Sequence, residues 1–431
     1  MNYKRLGNFI EPINIRNTEL EVTTLLGVSI KKVLMPSIAN TIGTNMKTYK
    51  IIEKNQFAYG PVTSRNGDKI SIALLEDYDK AIVSQAYTVF KVIDEQEVIP
   101  QYLMMWFRRP EFDRYARFKS HGSAREVFDW EEFCDTQLPI PSIEKQRQIV
   151  AEYNTVTQSI HLNKKINTNL EATAQALYKH WFVDFNFPIT EESCPELASG
   201  SPHLIGKPYK SSGGEMVYNE ELDKDIPVGW SSTTLGKLLS KKGYIRGPFG
   251  SALKKSDMQK KGIPVYEQQH AIYNHREFRY FITKEKYEKL KRFSIEPDDL
   301  VISCSGTLGR ITLINKEDKI GVINQALLIL RTDKEIMEGI YLKCFLDSKK
   351  GNMMLLDGSG GSAQVNIAKR EIIQSIPYAL ANNTLIEKFT YKLKIIQFKI
   401  DKNVEQSKKL KELQSLLLAK MTQVATKPAS V

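Results

Sequence analysis

Two long stretches of the chain carry apolar residues at alternating spacings of four and three. The first runs from Ile149 to Trp181 and the second from Ile386 to Met421. This spacing, with charged flanks and no internal proline or glycine, is typical of the seam of a coiled coil. It predicts two helices of about 35 residues, each roughly 50 Å long.

Both predicted seams become polar near the middle. The first carries Asn163 and Asn167 there, and the second carries Asn403 and Ser407. An antiparallel pair would bring amide groups opposite amide groups and would match the apolar ends, although a parallel pair could also align the middles. We favour the antiparallel arrangement. The alternative is two unrelated surface helices in ordinary globular domains.

The sequence before the first helix recurs, in altered form, between the two helices. Three local matches appear in the same order, namely 5–10 with 234–239, 84–92 with 324–332, and 122–128 with 361–367. The two members of each match, and the centres of the two helices, lie about 230 to 240 residues apart. The chain is therefore predicted to be a tandem duplication. The expected fold class is α+β, with two mixed α/β globular domains separated by two long antiparallel coiled-coil helices in a pseudo-twofold, dumbbell-like arrangement.

Composition shifts along the chain suggest where the segments begin and end. The predicted segments are a first globular domain at 1–141, a first long helix at 142–185, a linker at 186–225, a second globular domain at 226–383, a second long helix at 384–421, and a tail at 422–431.

The chain is basic, and its charge is unevenly distributed. Its 431 residues have a formal net charge of +11. The linker 186–225 holds eight acidic residues and three lysines, a net charge of −5, so the remainder carries +16. Such an excess points first to nucleic acid and then to an anionic membrane surface, with simple solubility as the ordinary alternative. No apolar run approaches eighteen residues, and none follows the first residues, so we expect a soluble cytoplasmic protein without membrane contact.

One constellation would fit a metal-dependent nuclease. Asp298, followed by Glu317 and Lys319, resembles the acids that hold Mg²⁺ and the lysine that supports the attacking water in such enzymes. The first copy has no acids at the matching place, and a Pro-Asp-Asp sequence before a strand is ordinary turn chemistry. A binding protein without catalysis of its own is the better interpretation.

Other chemical motifs are weak. The glycine-rich sequence at 358–363 lacks the context of a dinucleotide-binding turn, so a flexible loop is the better prediction. His270 and His275 have no cysteine or acid arranged to complete a metal site. The four cysteines are scattered and are expected to be reduced thiols with packing roles. We therefore predict no metal and no cofactor in this chain.

Polar segments rich in hydrogen-bond donors recur at matching places in both copies. Arginine pairs with guanine, and asparagine or glutamine pairs with adenine, whereas lysine suits phosphates as diffuse positive charge. The candidate base-reading residues are Arg65, Asn66, Lys69, His121, Ser123 and Arg125 in the first copy and Gln268, Gln269, His270, Asn274, Arg276, Thr307, Arg310, Gln364 and Asn366 in the second. The candidate phosphate contacts are Lys31, Lys32, Lys254 and Lys255. Taken singly, each is more often a solvated loop residue, and the repetition at matched positions carries the argument.

The chain resembles one known family over essentially the whole of its own length, and four stretches carry the resemblance. They are LPIPSIEKQRQI at the start of the first helix, LYKHWFVDF at its end, GKPYKSSGGEMVYNEELDKDIPVGW before the second half, and SCSGTLGR within it. With these residues the chain resembles the specificity subunit of a Type I restriction-modification system. The resemblance implies two target recognition domains, at 1–141 and 226–383, each reading one half of a bipartite asymmetric site in double-stranded DNA.

The resemblance also implies partners. The helices would set the gap between the half-sites and dock two methyltransferase (modification) subunits, with Trp181, Phe182 and Phe185 contributing to the partner interface or else to the coiled-coil core. The partners would bring S-adenosylmethionine to methylate adenine N6, and separate restriction (motor) subunits would use ATP and Mg²⁺. The competing hypotheses are a Mg²⁺-dependent nuclease and a protein scaffold that does not bind DNA.

Overall fold

The chain folds into two compact units. The computed structural model describes residues 3–37, 43–63, 69–122, 126–191, 199–357 and 366–421. The first unit contains residues 1–164 and 404–431, and the second contains residues 165–403. Each unit includes part of both long helices.

The first unit combines short strands with three short helices and the ends of the long ones. Its strands are β1 (Tyr3–Arg5), β2 (Ile10–Ile13), β3 (Leu26–Val28), β4 (Leu34–Pro36), β5 (Lys50–Glu53), β6 (Phe57–Gly60), β7 (Ser71–Leu74), β8 (Lys80–Val83), β9 (Thr88–Val92) and β10 (Gln137–Pro139). Its helices are α1 (Pro100–Phe107), α2 (Pro110–Lys119), α3 (Trp130–Cys134) and the N-terminal part of α4 (Ile143–Tyr178). The central sheet is antiparallel, in the order β2-β9-β6-β7.

An aromatic core holds the sheet of the first unit against its helices. Phe57 of β6 stacks on Phe90 of β9 at a ring separation of 4.6 Å, and Phe107 of α1 meets Phe57 edge-on. Helix α1 is apolar on nearly all sides, as expected for a buried helix. Pro110 occupies the first position of α2, where proline needs no hydrogen-bond partner, so it separates α2 from α1.

The second unit is larger. Its strands are β11 (Met216–Asn219), β12 (Lys224–Pro227), β13 (Ser231–Thr234), β14 (Leu239–Arg246), β15 (Ile263–Tyr266), β16 (Phe281–Ile282), β17 (Leu300–Ser303), β18 (Ile311–Leu313), β19 (Val322–Ile323), β20 (Leu327–Thr332), β21 (Leu356–Asp357), β22 (Asn366–Ile367) and β23 (Pro377–Leu380). Its helices are the remainder of α4, then α5 (Leu235–Leu238), α6 (Gln268–Tyr273), α7 (Lys284–Leu290), α8 (Gly339–Asp347), α9 (Lys349–Leu355), α10 (Arg370–Ser375) and the start of α11 (Asn383–Lys420). A five-residue π-helical turn, Lys179–Val183, ends α4.

The two units share one topology. In the second unit the strands β14-β20-β17-β18 form an antiparallel sheet with the same connectivity as β2-β9-β6-β7 in the first. Helix α1 begins at Pro100 and its counterpart α8 begins at Gly339, while α4 begins at Ile143 and α11 at Asn383. These separations of about 240 residues match those of the sequence repeats. The predicted tandem duplication of a mixed α/β fold is confirmed.

In the first unit the long helices pair in antiparallel fashion. Gln414 of α11 donates a hydrogen bond to Thr157 of α4 at 2.8 Å. Further along α4, Asn163 donates to the hydroxyl of Ser407 at 3.2 Å. Because the partner's number falls as the residue number on α4 rises, the two helices run in opposite directions.

The second unit shows the same direction of pairing. Asn403 donates to the amide oxygen of Asn167 at 2.7 Å, and towards the end of α4 the Trp181 ring lies 5.4 Å from that of Phe389. The polar middle of each seam therefore faces the polar middle of the other, as predicted. Polar pairs of this kind within a seam fix the register of a coiled coil at some cost in stability. No helix among the described residues is both long enough and apolar enough to cross a membrane.

The cysteines that the structure describes are free thiols. Cys134 and Cys344 are buried, and Cys304 is half-buried. Burial raises the pKa of the Cys344 thiol to about 12, which keeps it in its protonated, unreactive form. These three residues pack as the sequence predicts, and Cys194 lies outside the described residues.

Candidate nucleic-acid interface

The structure places the predicted DNA-contacting residues in three groups. Eight are exposed, namely Lys31, Lys69, His121, Lys254, Lys255, Asn274, Thr307 and Arg310. Three are half-buried, namely Gln268, Gln269 and Arg276, and two are buried, namely Lys32 and His270. Outside the described residues lie Arg65, Asn66, Ser123, Arg125 and Gln364. Asn366 begins strand β22, but its side chain is outside the described part.

In the first unit, the ends of two candidate loops lie side by side. We call 61–69 and 120–127 the first loop pair. The backbone N–H of Thr63 donates to the carbonyl of Glu126 at 3.0 Å, and the N–H of Phe128 donates to Pro61 at 2.9 Å. The Thr63 hydroxyl also reaches Ser120 at 3.0 Å. The fold therefore joins two segments that are about 60 residues apart in the sequence.

The second unit brings the corresponding loops together. We call 303–310 and 356–367 the second loop pair. Strand β21 pairs with β22, which closes the second of these loops at its base. Asn352, just before it, donates to the carbonyl of Gly309 in the first at 3.2 Å. The same two positions of the repeat are thus adjacent in both units.

Local sequence explains the shape of the 303–310 loop. The buried Ser303 hydroxyl donates to the carbonyl of Thr307 at 2.6 Å and accepts from the backbone N–H of Arg310 at 3.0 Å. Gly306 and Gly309 both have φ of +69°, a conformation that glycine adopts without strain. The result is a compact turn that leaves the side chains of Thr307 and Arg310 exposed.

Three predicted residues of the second unit line one cleft. The cleft has a volume of about 780 Å³, and Asn274, Thr307 and Arg310 are among the residues that line it. Thr168, Glu171 and Gln175 of α4 contribute to its lining as well. Polar donors thus converge beside a groove, which is the arrangement that reading base edges requires.

Arg276, which the sequence suggests as a base-reading residue, is held by its own unit. Its Nε lies 2.9 Å from a carboxylate oxygen of Asp318, and one of its terminal nitrogens donates to the carbonyl of Leu313 at 3.0 Å and to the hydroxyl of Thr312 at 3.2 Å. These contacts occupy most of its donors. We therefore correct its role from base reading to support of the neighbouring Asn274.

Lys32 is not a free surface cation. Its side chain is 4% exposed, and its ammonium lies 2.7 Å from the carboxylate of Asp113 and donates to the carbonyl of Phe107. Burial lowers the pKa of Lys32, and the hydrogen bond and charge of Asp113 oppose that shift. Contact with a phosphate would require breaking a buried ion pair, which costs several kcal/mol. The prediction that Lys32 contacts phosphate is therefore corrected, whereas Lys31 stays exposed.

His270 is part of a helix cap. Its Nδ1 accepts the backbone N–H of Glu267 at 2.8 Å, and its Nε2 lies 3.0 Å from the carbonyl of Glu277 and donates to it. The ring is fully buried, so it cannot meet a base edge. Gln269 donates to the Glu267 carboxylate at 3.0 Å, so it too is used within the same turn. We remove His270 from the predicted interface.

His270 should make the second unit sensitive to acid. Burial lowers the pKa of its imidazole, so the folded state resists protonation while the unfolded chain takes up a proton near the ordinary pKa of about 6.5. The free energy of unfolding should therefore fall as the pH drops below about 6.5. In a His270→Gln variant this part of the pH dependence should be absent. Urea unfolding at a series of pH values measures it, and an equal pH dependence in both proteins would contradict the assignment.

The nuclease constellation does not come together. The carboxylate of Asp298 accepts the backbone N–H groups of Gly339 and Ile340 at 2.6 and 3.3 Å, so it caps the start of α8. Glu317 and Lys319 are exposed in the turn that precedes β19. In the described part of the chain, no group of three histidine, cysteine, aspartate or glutamate side chains could hold a metal ion. The geometry gives Asp298 a structural role.

Comparison with known proteins finds similarity to one family. Residues 29–172 match the family model described as Type I restriction modification DNA specificity domain. The chain is 25% identical to the Type I restriction enzyme HindI specificity subunit of Haemophilus influenzae, over 90% of both chains. It is 30% identical to the MjaIX specificity subunit of Methanocaldococcus jannaschii, over 34% of this chain and 29% of that protein. Over most of its length, the chain is therefore similar to a specificity subunit of a Type I restriction-modification system.

A solved structure from the same family has the same fold. The crystal structure of the Type I restriction-modification system S subunit from M. genitalium aligns over all of this chain and 96% of its own, with a TM-score of 0.50 and 12% sequence identity. At this identity the likeness concerns the fold alone. It agrees with the two-domain architecture and long helices of this chain.

The aromatic residues at the end of α4 are core residues of the second unit. Trp181, Phe182 and Phe185 are 4–5% exposed. Phe182 contacts Phe389 at a ring separation of 4.8 Å, and Phe185 contacts Trp230 at 5.3 Å. The prediction that they bind a partner is corrected, because their surfaces are already covered within the second unit.

Two residues that support the interface were not predicted from the sequence. Asp113 holds the buried ammonium of Lys32 and also accepts the backbone N–H of Ile70 at 3.0 Å, immediately after the first candidate loop. Thr312 holds the side chain of Asn274. An aspartate within a charged helix and a threonine within a strand are both common, so no sequence signal distinguishes them.

Proposed function

We propose that each globular domain of this specificity subunit reads one half of a bipartite, asymmetric site in double-stranded DNA. The observation that carries the proposal is the repetition of the loop pairs. The same two positions of a duplicated fold are adjacent in both units and are rich in donors, while their sequences differ. A common framework with unequal loops suits two unequal half-sites.

The charge supports binding to a polyanion. Outside the acidic segment 186–225, the chain has an excess of sixteen positive charges. Lys31, Lys254 and Lys255 are exposed and suit phosphate contacts. A protein scaffold that does not bind DNA would not need hydrogen-bond donors at the same two places in both copies.

The long helices are proposed to dock two methyltransferase subunits. In this arrangement the specificity subunit provides recognition without catalysis. The methyltransferases bring S-adenosylmethionine and methylate adenine N6, and restriction (motor) subunits bring ATP and Mg²⁺ chemistry. None of these cofactors is assigned to this chain.

Within the second unit, an apolar face of α11 fits such docking better than the buried aromatics. Tyr391, Ile395 and Phe398 follow one another at spacings of four and three, and they are 68%, 43% and 63% exposed. Residues at this spacing share one side of a helix. Exposed aromatic groups on a rigid helix are typical anchors of protein interfaces.

A double variant Tyr391→Ala/Phe398→Ala should weaken the complex with methyltransferase subunits. Loss of two aromatic anchors costs about 2 kcal/mol or more in affinity, whereas removing exposed side chains changes the free energy of unfolding little. Association is measured by isothermal titration calorimetry, with the exposed neighbour Lys399→Ala as control. Equal affinities of the double variant and the wild type would place docking elsewhere.

The DNA-reading function is tested by selecting binding sites from random double-stranded DNA with the co-purified complex. We expect two short specific half-sites separated by a gap of fixed length. Arg310→Ala should relax one position in one half-site only. Weakening on all sequences alike would instead make Arg310 a phosphate contact, and a complex without sequence preference would favour the scaffold hypothesis.

A further inference from the structure

The side-chain amide of Asn274 is held by its neighbours in the second unit. Asn274 ends helix α6 in a left-handed conformation, with φ of 49°, and its side chain is exposed at the cleft. Its Oδ1 lies 2.5 Å from the hydroxyl of Thr312, which is buried in strand β18. The same hydroxyl lies 3.2 Å from a terminal nitrogen of Arg276.

The chemistry of these neighbours determines which way round the amide sits. A guanidinium group carries only donors, so the Thr312 oxygen must accept from Arg276. The single hydroxyl hydrogen of Thr312 is then available for Asn274. If the amide were reversed, its NH₂ group would face Thr312, and the buried hydroxyl hydrogen would have no other acceptor among its contacts in the described residues. A buried donor without a partner is costly, so Oδ1 faces inward and Nδ2 faces the cleft.

Arg276 is fixed in turn, which makes the arrangement rigid. Its Nε meets Asp318 at 2.9 Å, and its terminal nitrogen also donates to the carbonyl of Leu313 at 3.0 Å. Asp318 additionally accepts the backbone N–H of Asn315 at 2.9 Å. The ion pair with Asp318 therefore holds the guanidinium of Arg276. The hydrogen bonds from Arg276 to Thr312 and from Thr312 to Asn274 then run in one direction up to the cleft.

We infer that Asn274 is a specificity-determining residue that reads a hydrogen-bond acceptor on one base of the second half-site through Nδ2. The inference rests on the proposed DNA-reading function and deepens it. In the major groove, guanine offers two acceptors, O6 and N7, thymine offers O4, adenine offers N7 beside its N6 donor, and cytosine offers only a donor. The usual asparagine contact with adenine uses both amide atoms, but here Oδ1 is directed at Thr312, so adenine keeps only the contact at N7. Guanine is therefore the best-fitting base, thymine and adenine with one acceptor each come next, and cytosine is excluded.

The test uses three variants of the full chain in complex with methyltransferase subunits. In Asn274→Asp, Thr312 still binds the inner oxygen, so the outer atom changes from donor to acceptor. In Thr312→Val, the amide is released and can rotate, whereas Thr312→Ser keeps the hydroxyl and serves as matched control. Binding sites are selected from random DNA for each protein, and the readout is the relative preference for bases rather than affinity, because an added carboxylate weakens binding to all DNA.

The wild type and Thr312→Ser should prefer guanine over thymine and adenine, and should reject cytosine, at one position of one half-site. Asn274→Asp should shift that position towards cytosine or adenine by about tenfold or more, and Thr312→Val should raise the share of adenine there, because the released amide can use both of its atoms. The other half-site should stay unchanged in all variants. If Thr312→Val fails to fold, the base preference of Asn274→Asp is sufficient to test the inference.

Two results would overturn the inference. A wild-type motif that Asn274→Asp leaves unchanged, or weakens equally for every base, would show that Asn274 does not read a base. A variant-sensitive position occupied by cytosine in the wild-type motif would show that the amide has the opposite orientation. Failure of the proposed function would give a different result from either of these, because the wild-type complex itself would then select no motif.

Discussion

Replacing Lys32 by Met should destabilise the first unit by about 3 kcal/mol or more. The change leaves the buried carboxylate of Asp113 without its cation, and breaking one side of a buried ion pair typically costs about 3–5 kcal/mol. Hydrogen exchange of the amides in α1 and α2 reports on this unit directly. Their free energies of opening should fall together, since Lys32 also binds the carbonyl at the end of α1.

Two controls separate this effect from DNA binding. The double variant Lys32→Met/Asp113→Leu should recover much of the lost stability, because it removes the unpaired charge. Lys31→Met changes the exposed neighbour, so stability should stay within about 0.5 kcal/mol of the wild type while the salt dependence of DNA binding decreases. If Lys32→Met kept full stability and weakened DNA binding as Lys31→Met does, Lys32 would be a phosphate contact after all.

Replacing Trp181 by Ala should destabilise the second unit by about 3–5 kcal/mol, the usual cost of removing a large buried aromatic side chain. Trp181 is 5% exposed and packs on Phe389 of the opposing helix. The loss should appear in urea unfolding of the isolated chain, followed by far-ultraviolet circular dichroism. No partner subunit is needed to observe it.

Val183 provides the matched control two residues away. It is 51% exposed, so Val183→Ala should change the free energy of unfolding by no more than about 0.5 kcal/mol. A Trp181→Ala protein that unfolded like the wild type but bound methyltransferase subunits weakly would restore the original prediction of a partner interface.

Periodicity and repetition predicted most of the architecture. A coiled-coil seam is a local signal, because each position can be assigned from neighbours three or four residues away. The opposed polar middles, Asn163 and Asn167 against Asn403 and Ser407, predicted the direction of pairing, and the observed hydrogen bonds confirm it. The duplication could be recognised from the sequence because the three local matches occur in the same order in both copies.

The roles of single polar residues could not be predicted in the same way. Lys31 and Lys32 are adjacent and chemically identical, and the difference between them depends on Asp113, far away in the sequence. His270 lies in a polar stretch, yet two backbone contacts and burial give it a capping role. These outcomes depend on tertiary packing, which local composition does not encode.

The packing of the acidic segment before the second domain, 186–225, could not be predicted from its composition either. Its composition suggests only a connection between domains, but Phe187, Tyr209 and Trp230, in and just beyond it, stack on one another within the core of the second unit. The donor residues Arg65, Asn66, Ser123 and Arg125 lie outside the described residues, so their role in base reading stays a prediction.

If one chain reads two different half-sites, the methylation pattern of a genome should show both of them. The chain would be co-expressed with the methyltransferase subunits of its own operon, and methylated adenines would be mapped across the host genome by single-molecule sequencing. We expect one bipartite, asymmetric motif with a central gap of fixed length. A stable complex that methylates no motif, or one that methylates a single uninterrupted sequence, would contradict that expectation.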